Sequence, residues 1–276
     1  MEREALSLEE TQQESLKILS KIDEICRKEN LKYFLAYGTL LGAIRHNGFI
    51  PWDDDVDVMM PRKDYLKLKK YFIEHAEELK PFKLCYRENT ENYEYYLPRV
   101  VNMDFKYINL FRKKPEMDIG TFVDIYPIDN YGNDRSAKKV FDKIKRKNIN
   151  YVFYLSGISP TSKYKTLIMY PLHIIQRIIK GKNYQYRINK EIDDLISKSF
   201  NDSDRYVGIP SWTFTFKQYK REWLEDYIEK DFEGKMFYIP KFYDDILKME
   251  YGDYMKLPPE DQRKPYHGYK IVKREK

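Results

Sequence analysis

The first apolar positions of the chain repeat at helical spacing. Ser7, followed three residues later by Glu10, has the pattern of a capping box. The apolar face that follows carries Leu16, Leu19, Ile22 and Ile25. The sequence therefore predicts a helix that begins near Ser7 and ends near Asn30.

After this helix the pattern changes to short apolar runs that are separated by turn residues. The run over residues 31–37 predicts a strand that ends at Gly38, and Thr39 predicts the cap of a second helix. The acidic segment over residues 53–60 predicts a strand that is closed by Pro61. A polar helix is predicted over residues 62–78, with further strands near residues 82–86, 95–102 and 122–126. This order predicts a mixed sheet flanked by helices, which is an α+β fold.

The second half of the chain has a different character. Residues 1–130 are expected to form a catalytic core, and residues 131–276 a mostly helical region. Residues 134–150 are strongly basic, and residues 161–190 combine isoleucines with lysines and arginines. Such a segment either lies flat on an anionic membrane or packs as an ordinary amphipathic helix on its own domain.

The composition limits the class of protein. With 276 residues, of which 42% are hydrophobic and 34% charged, the chain can bury a core, which excludes a wholly disordered protein. No window reaches the roughly 18 consecutive apolar residues of a membrane span, and the acidic start lacks the pattern of a signal peptide. Cys26 and Cys85 are too few for a disulfide scaffold or a Cys-rich zinc site. We expect a cytoplasmic protein, either free or peripherally attached to the inner face of the membrane.

The charge and the aromatic content are a weaker guide. The net charge is +6, from 50 Lys and Arg against 44 Asp and Glu, and 26 residues are tyrosine. A basic surplus favours phosphate-rich partners such as nucleotides, nucleic acid or anionic lipid. A genome that favours Lys and Tyr codons produces the same composition, so the charge alone does not identify a partner.

The densest set of chemically active residues lies between positions 37 and 58. Asp55 and Asp57 would point to the same face of a strand, because side chains alternate between faces. Two carboxylates at this spacing can hold a hard divalent cation. Gly38 allows close backbone approach, and a helix that begins near Thr39 offers N–H groups to a phosphate. Phosphoryl transfer requires such a combination of cation site and phosphate site.

A third carboxylate is predicted in the strand-like run over residues 122–126. Asp124 stands alone there among apolar residues, and burying it without a partner would be costly. We therefore expect Asp124 either to share the cation or to accept the proton of an attacking hydroxyl. Asp129 is more typical of a turn, and Asp118 is a weaker candidate.

Three segments of the chain, in this order, resemble the LicD family of phosphotransferases. The first is GTLLGAIRHNGFIPWDDDVD, from Gly38 to Asp57. The second is GTFVDIYPID, residues 120–129, and the third is YGDYMKLPP, residues 251–259. The resemblance spans roughly residues 30 to 267, with the loosest match over residues 134–220.

The resemblance implies a nucleotidyltransferase-like fold and a CDP-linked alcohol as donor. Bacterial members typically move phosphocholine from CDP-choline to a sugar hydroxyl of a teichoic acid or lipooligosaccharide precursor, and they release CMP. For this chain it implies CDP-choline or another CDP-alcohol as donor and a glycan acceptor that can be lipid-linked. Residues 131–276 would face the acceptor or the membrane and would contribute to the active site.

The resemblance also assigns roles to individual residues. It implies that Mg²⁺ or Mn²⁺ is held by the catalytic carboxylates Asp55, Asp57 and Asp124. It implies that the pyrophosphate lies against Gly38 and Thr39, with Arg45 as its charge partner. Family members often carry paired histidines in the tail, whereas His267 is followed by Gly268, so a role for His267 is not carried over.

Choline recognition would add an aromatic cage, because a quaternary ammonium is held by aromatic faces. One candidate cluster comprises Tyr93, Tyr95 and Tyr96, and another comprises Trp212, Phe214 and Phe216. Both clusters are also typical of a hydrophobic core, and the sequence does not choose between them.

Two other functions remain open at this stage. A nucleotidyltransferase of the same fold would attach a nucleoside monophosphate to a small acceptor and release pyrophosphate. A non-catalytic nucleic-acid-binding protein would use a surface rich in Lys and Tyr. The acidic segment at residues 53–57 would repel a phosphate backbone unless a cation is bound, so we expect no nucleic-acid partner.

Overall fold

The fold is described from a computed structural model. It describes residues 4–93, 95–110, 117–133, 136–156, 171, 174–175, 178–181, 184–211, 215–265 and 268–275.

Helices and strands follow one another through the described residues. The helices are α1 (Leu8–Lys28), α2 (Tyr37–Arg45), α3 (Arg62–Glu74), α4 (Ser136–Ser156), α5 (Tyr184–Ser199) and α6 (Tyr243–Tyr251), with 3₁₀ turns at Arg221–Leu224 and Glu260–Gln262. The strands are β1 (Phe34–Leu35), β2 (Asp57–Pro61), β3 (Phe82–Cys85), β4 (Arg99–Asn102), β5 (Phe105–Asn109), β6 (Thr121–Asn130), β7 (Tyr206–Gly208), β8 (Tyr219–Lys220), β9 (Tyr227–Phe232), β10 (Lys235–Pro240) and β11 (Tyr269–Lys273).

The chain divides into two compact units. The first unit comprises residues 1–85, 98–128 and 219–276, and the second comprises residues 86–97 and 129–218. The predicted separation of a catalytic core at residue 130 from the rest of the chain stays a prediction.

The first unit is built on a mixed sheet. Its strands are arranged in the order β1-β2-β6-β4-β3. β2 and β6 are parallel, and the other neighbouring pairs are antiparallel. α1 lies against β4, and α2 and α3 lie against β2. The predicted α+β fold with a mixed sheet flanked by helices is confirmed.

The second unit has its own hydrophobic core between α4 and α5. Its members come mainly from these helices and include Phe141, Ile144, Tyr151, Ile188, Ile192 and Ile196. At the end of β6, Asp129 and Asn130 pair with Gly208 and Val207 of β7.

The predicted first helix and its capping box are confirmed. The Ser7 hydroxyl accepts a hydrogen bond from the Glu10 N–H (3.1 Å), and the Glu10 carboxylate accepts one from the Ser7 N–H (2.7 Å). The apolar face of α1 is buried as its spacing predicts.

Two predicted boundaries near the acidic motif are wrong. The strand begins at Asp57 rather than at Asp53, so residues 53–56 precede it in an irregular segment. Irregular backbone lets consecutive carboxylates converge, whereas a strand would send them to alternate faces. The second helix is capped by Ala36 rather than by Thr39, and the Thr39 hydroxyl instead accepts the backbone N–H of Asp57 at 2.9 Å.

The carboxyl-terminal part contains more strand than was predicted for a mostly helical region. β9 and β10 form a hairpin whose turn residues, Glu233 and Gly234, both have positive φ. This turn geometry suits a tight hairpin.

Several predicted features fall on residues that the structure does not describe. His267, Trp212 and Phe214 lie outside the described residues, as does most of the amphipathic segment over residues 161–190. Among the described residues, no helix has the length and apolarity needed to cross a membrane.

Candidate active site

Three neighbouring strands of the first unit place a pair of carboxylates beside a guanidinium. Asp57 on β2 is the register partner of Asp124 on β6, and Asp124 is the register partner of Arg99 on β4. Paired residues on adjacent strands point to the same face of a sheet. All three residues are buried, so the sheet carries a row of buried charges.

Arg99 forms a bidentate ion pair with Asp124. Its Nε lies 2.5 Å from Oδ1 and its Nη2 lies 3.2 Å from Oδ2. The guanidinium carbon also lies 3.9 Å from the centre of the Phe122 ring. A bidentate partner compensates for the cost of burying the Asp124 charge. Sequence analysis missed Arg99, although an arginine in the apolar run over residues 97–101 signals a buried partner.

Asp57 is buried close to several other carboxylates. Burial raises its pKa well above the ordinary aspartate value, and the neighbouring Asp55, Asp124 and Asp53 raise the pKa further. The Tyr126 hydroxyl donates a hydrogen bond to this carboxylate. Within the part of the chain that the structure describes, Oδ1 of Asp57 is buried without a hydrogen-bond partner. Oδ1 of Asp57 can therefore accept a further partner, and the neighbouring negative charges favour a cation.

Residues 53–55, hereafter the carboxylate segment, bring three acidic groups together. One carboxylate oxygen from each residue lies within 4.8 Å of the others. Two distant side chains hold the backbone, because Gln12 Nε2 donates to the Asp53 carbonyl and the Tyr269 hydroxyl donates to the Asp54 carbonyl, both at 2.8 Å. α1 and β11 thus fix a segment that has no regular structure of its own.

The start of α2 packs directly against these carboxylates. A Cβ atom on Gly38 would lie 2.5 Å from Oδ2 of Asp53, so a side chain there would displace the carboxylate. Tyr37, the residue before it, has φ +44°, a conformation that a bulky residue rarely adopts outside functional sites. The predicted contacts of Gly38 and Thr39 with a pyrophosphate stay predictions, and the structure gives both residues a role in placing aspartates.

The tail motif reaches the same region. Arg45 at the end of α2 donates to the Tyr254 carbonyl (2.9 Å) and to Nε2 of His46 (3.0 Å). Burial raises the pKa of the Tyr251 hydroxyl, and the charges of Asp57, Glu250 and Asp53 raise it further. Sequence analysis missed Tyr251 and Tyr126 as site residues, although both lie in the motifs. The role of Arg45 as charge partner of a pyrophosphate stays a prediction.

These residues fit a hard divalent cation. Carboxylate oxygens are the ligands that such ions prefer, and among the described residues the Asp57 carboxylate has a buried oxygen without a hydrogen-bond partner and several negatively charged neighbours. The predicted ligands Asp55, Asp57 and Asp124 lie in one region, because Asp55 and Asp124 both act electrostatically on Asp57. The assignment of these three residues as ligands stays a prediction, and Asp53 and Asp54 are further carboxylates at the same place.

The first candidate aromatic cluster, in the second unit, already contains a cation. The buried Arg87 guanidinium lies 3.9 Å from the Tyr151 ring centre and 5.2 Å from that of Tyr96. Tyr93 is fully buried, and its hydroxyl donates to the Leu97 carbonyl at 2.9 Å. These contacts favour a structural role for the cluster. Phe216, the described member of the other cluster, packs against Tyr131 with ring centres 5.3 Å apart.

Comparison with known proteins adds independent evidence on the family. The family model described as "LicD/FKTN/FKRP, nucleotidyltransferase domain" matches residues 30–167. The lipopolysaccharide cholinephosphotransferase LicD of Haemophilus influenzae is 28% identical over 271 residues, which cover 95% of this chain and 96% of that protein. An uncharacterised protein of Rickettsia typhi is 26% identical over 185 residues, 59% of this chain and 56% of that protein.

The matched region contains the acidic motif, the start of α2 and the strand that carries Asp124. The family that the sequence motifs predicted is therefore confirmed, and so is the class of enzyme, a transferase. This chain belongs to the LicD family.

Proposed function

We propose that this protein transfers phosphocholine from CDP-choline to a sugar hydroxyl of a cell-surface glycan precursor and releases CMP. The observation that carries the proposal is the match to the Haemophilus influenzae cholinephosphotransferase over nearly the whole of both chains. The cluster of aspartates around Asp57 supports it, because these carboxylates could hold a divalent cation, which would compensate the negative charge of the phosphates during transfer. That relative acts on lipopolysaccharide; a teichoic acid or lipooligosaccharide precursor is the proposed acceptor class here.

The chain supplies three groups for this reaction. Asp55, Asp57 and Asp124 would hold Mg²⁺ or Mn²⁺, which when bound neutralises the phosphate oxygens and orients the phosphorus. The amino terminus of α2, at Gly38 and Thr39, faces the carboxylates and offers backbone N–H groups to the pyrophosphate. Arg45 would add a positive charge.

The bonds that change follow from the donor. The acceptor oxygen attacks the phosphorus that bears choline, and its proton goes to a base or to solvent. The bond between this phosphorus and the bridging oxygen breaks, and CMP leaves with that oxygen. Arg99 holds both oxygens of Asp124, which keeps this carboxylate fixed while the acceptor approaches.

An aromatic residue beside the carboxylate segment supports choline as the alcohol. Trp52 directly precedes Asp53 and is partly exposed. The Arg263 guanidinium lies 5.8 Å from the centre of its ring, a looser contact than the 3.9 Å of Arg87 on Tyr151 in the buried cluster, so a choline ammonium would take the place of Arg263 on a partly exposed ring. We propose Trp52 as the surface that receives the choline ammonium.

The alternative function is that of a nucleotidyltransferase. It is supported by the family model, which is described as a nucleotidyltransferase domain. It would attach CMP or another nucleoside monophosphate to a small acceptor and release pyrophosphate. The two reactions are distinguished by their products.

The test is release of CMP from CDP-choline in the presence of Mg²⁺ or Mn²⁺, first with water and then with glycan precursors as acceptor. We expect Asp55→Asn and Asp57→Asn to lower the rate about a hundredfold or more, because each removes one charge and keeps the shape of the side chain. Asp226→Asn, on an exposed aspartate of the same unit, is the matched control and should keep the wild-type rate.

The outcomes separate the two candidates. Pyrophosphate release from a nucleoside triphosphate, with no CMP from any CDP-alcohol, would favour the nucleotidyltransferase. A wild-type rate in Asp57→Asn would contradict the proposed site.

The proposed place of the reaction is the cytoplasmic side of a membrane. A lipid-linked acceptor would bring the acceptor hydroxyl to the membrane surface. Peripheral attachment of the protein is therefore part of the proposal.

A further inference from the structure

An unusually apolar helical face is exposed in the second unit. Ile178 and Ile179 are 77% and 76% exposed, and Ile174 and Ile175 are 51% and 50% exposed. The described residues among 171–180 are helical. Positions 174, 175, 178 and 179 follow the spacing i, i+1, i+4, i+5, so they lie on one side of a helix. We call these four residues the isoleucine face.

The chain around this face contains no acidic residue. Between Asp142 and Glu191 the sequence has 11 Lys and Arg and no Asp or Glu. The remainder of the chain therefore has 39 Lys and Arg (50 minus 11) against 44 Asp and Glu, so the positive net charge originates in this stretch. The apolar surface and the basic surplus occur in the same segment of the chain.

The partner of such a surface must provide an apolar layer for the isoleucines and negative charge for the basic residues. The free energy falls when exposed isoleucines leave water, and it also falls when lysines and arginines approach negative charge. An anionic bilayer presents acyl chains just below a layer of negative headgroups, at the depth that an amphipathic helix reaches. An acidic protein groove would offer the same charge, but four β-branched side chains on one helix side match a continuous apolar layer better than a set of pockets.

We infer that the isoleucine face inserts at the surface of an anionic phospholipid membrane, with exposed basic residues of the second unit, among them Lys143, Arg187 and Lys190, contacting the headgroups. This specifies the surface for the peripheral attachment proposed above. It rests on the second unit alone and does not depend on the identity of the donor or acceptor.

The experiment is sedimentation of the full chain with vesicles. The probes are vesicles of equal parts phosphatidylglycerol and phosphatidylcholine, and vesicles of phosphatidylcholine alone. We expect the wild type to sediment with the anionic vesicles, less with the neutral ones, and less at high salt. The affinity of the double variant Ile178→Ser, Ile179→Ser for the anionic vesicles should fall by a factor of about ten or more, because both side chains lose their apolar contact.

A matched control exists on another helix. Leu66 and Ile73 of α3, in the first unit, are 52% and 59% exposed. The double variant Leu66→Ser, Ile73→Ser removes comparable apolar surface and should sediment as the wild type does. A second test variant, Lys143→Gln with Lys190→Gln, changes two exposed lysines and should weaken binding to the anionic vesicles severalfold while leaving the isoleucines intact.

Several outcomes would overturn the inference. One is vesicle binding by the isoleucine variant equal to that of the wild type, and another is an equal loss in the α3 control. A third is a wild-type dimer, seen by sedimentation without vesicles, that the isoleucine variant converts to a monomer while vesicle binding is unchanged; the face would then join two copies of the chain. If the isoleucine variant unfolds at a lower temperature, the lysine variant decides.

The release of CMP from CDP-choline in solution separates this inference from the proposed function. The isoleucine variant should retain the wild-type rate with water as acceptor. A protein that binds vesicles but does not release CMP would contradict the proposed function and support the membrane surface.

Discussion

Trp52 is the residue at which the choice of alcohol can be tested. Trp52 directly precedes the carboxylate segment, and its ring centre lies 5.8 Å from the Arg263 guanidinium and 6.4 Å from the centre of the His46 ring. We expect Trp52→Leu to raise the KM for CDP-choline about twofold to thirtyfold, because a cation–π contact contributes about 0.5–2 kcal/mol.

A neutral analogue provides the control for this prediction. Binding of CDP-glycerol, which carries no ammonium group, should be equal in wild type and Trp52→Leu, and Trp52→Phe should fall between them with CDP-choline. Equal weakening for both CDP-alcohols would mean that Trp52 supports the fold of the site rather than the choline.

The residue scale also shows where sequence reasoning succeeded. A lone carboxylate in an apolar strand predicts a compensating partner for Asp124, and the structure provides one, whereas its role as cation ligand or base stays a prediction. That partner is Arg99, which lies 25 positions earlier in sequence. No local pattern links the two, because the antiparallel pairing of β4 and β6 alone brings them together. A buried charge can be recognised from its neighbours in sequence, whereas its partner is set by strand order.

At the scale of elements, the site depends on parts of the chain that are remote from the acidic motif. The Tyr269 hydroxyl of β11 holds the Asp54 carbonyl, while its ring packs on Tyr107 and Phe122 with centres 4.9 and 5.6 Å apart. The tether and the packing can be separated, because phenylalanine keeps the ring and removes the hydroxyl.

We expect Tyr269→Phe to lower the free energy of unfolding by about 1 kcal/mol, the usual net value of one hydrogen bond. It should also lower kcat, because the carboxylate segment loses the hydrogen bond that ties the Asp54 carbonyl to β11. Tyr71→Phe is the matched control, since it deletes the same atom from a tyrosine on α3 whose hydroxyl contacts Lys28 at 3.1 Å. Unfolding by urea and CMP release measure both effects. A loss of stability with an unchanged kcat would show that β11 supports the fold without positioning the carboxylates.

Elements with strong local signals were predicted well, and irregular segments were not. The capping box located the start of α1 because its two hydrogen bonds join residues three positions apart. The start of β2 was placed four residues too early, because alternation within 53–60 resembles a strand. Contacts from Gln12 and Tyr269, far away in sequence, hold residues 53–55 in another conformation.

At the scale of the whole molecule, we expect the aspartate cluster to lower the free energy of unfolding of the cation-free protein. Buried carboxylates that repel one another destabilise the folded protein, and a bound cation reverses this. In the presence of a chelator we expect Asp57→Asn to raise the free energy of unfolding by about 1 kcal/mol or more, since it removes one repelling charge and keeps the shape. Mn²⁺ or Mg²⁺ should stabilise the wild type by about 2.7 kcal/mol at a hundred times its Kd and should have little effect on the variant.

The pH dependence of this difference provides the strictest check. The folded-state pKa of Asp57 is raised, while the unfolded chain should have the ordinary value of about 3.9. At pH values between these two, the folded state binds more protons than the unfolded state, so this group makes stability fall as the pH rises. The stability advantage of Asp57→Asn over the wild type, measured with chelator, should therefore be absent below pH of about 4 and should grow above it. Asp226→Asn should show no such growth, because its carboxylate is exposed. An advantage of Asp57→Asn that is independent of pH would place its origin in packing rather than in charge, and would remove the electrostatic argument for a cation at this site.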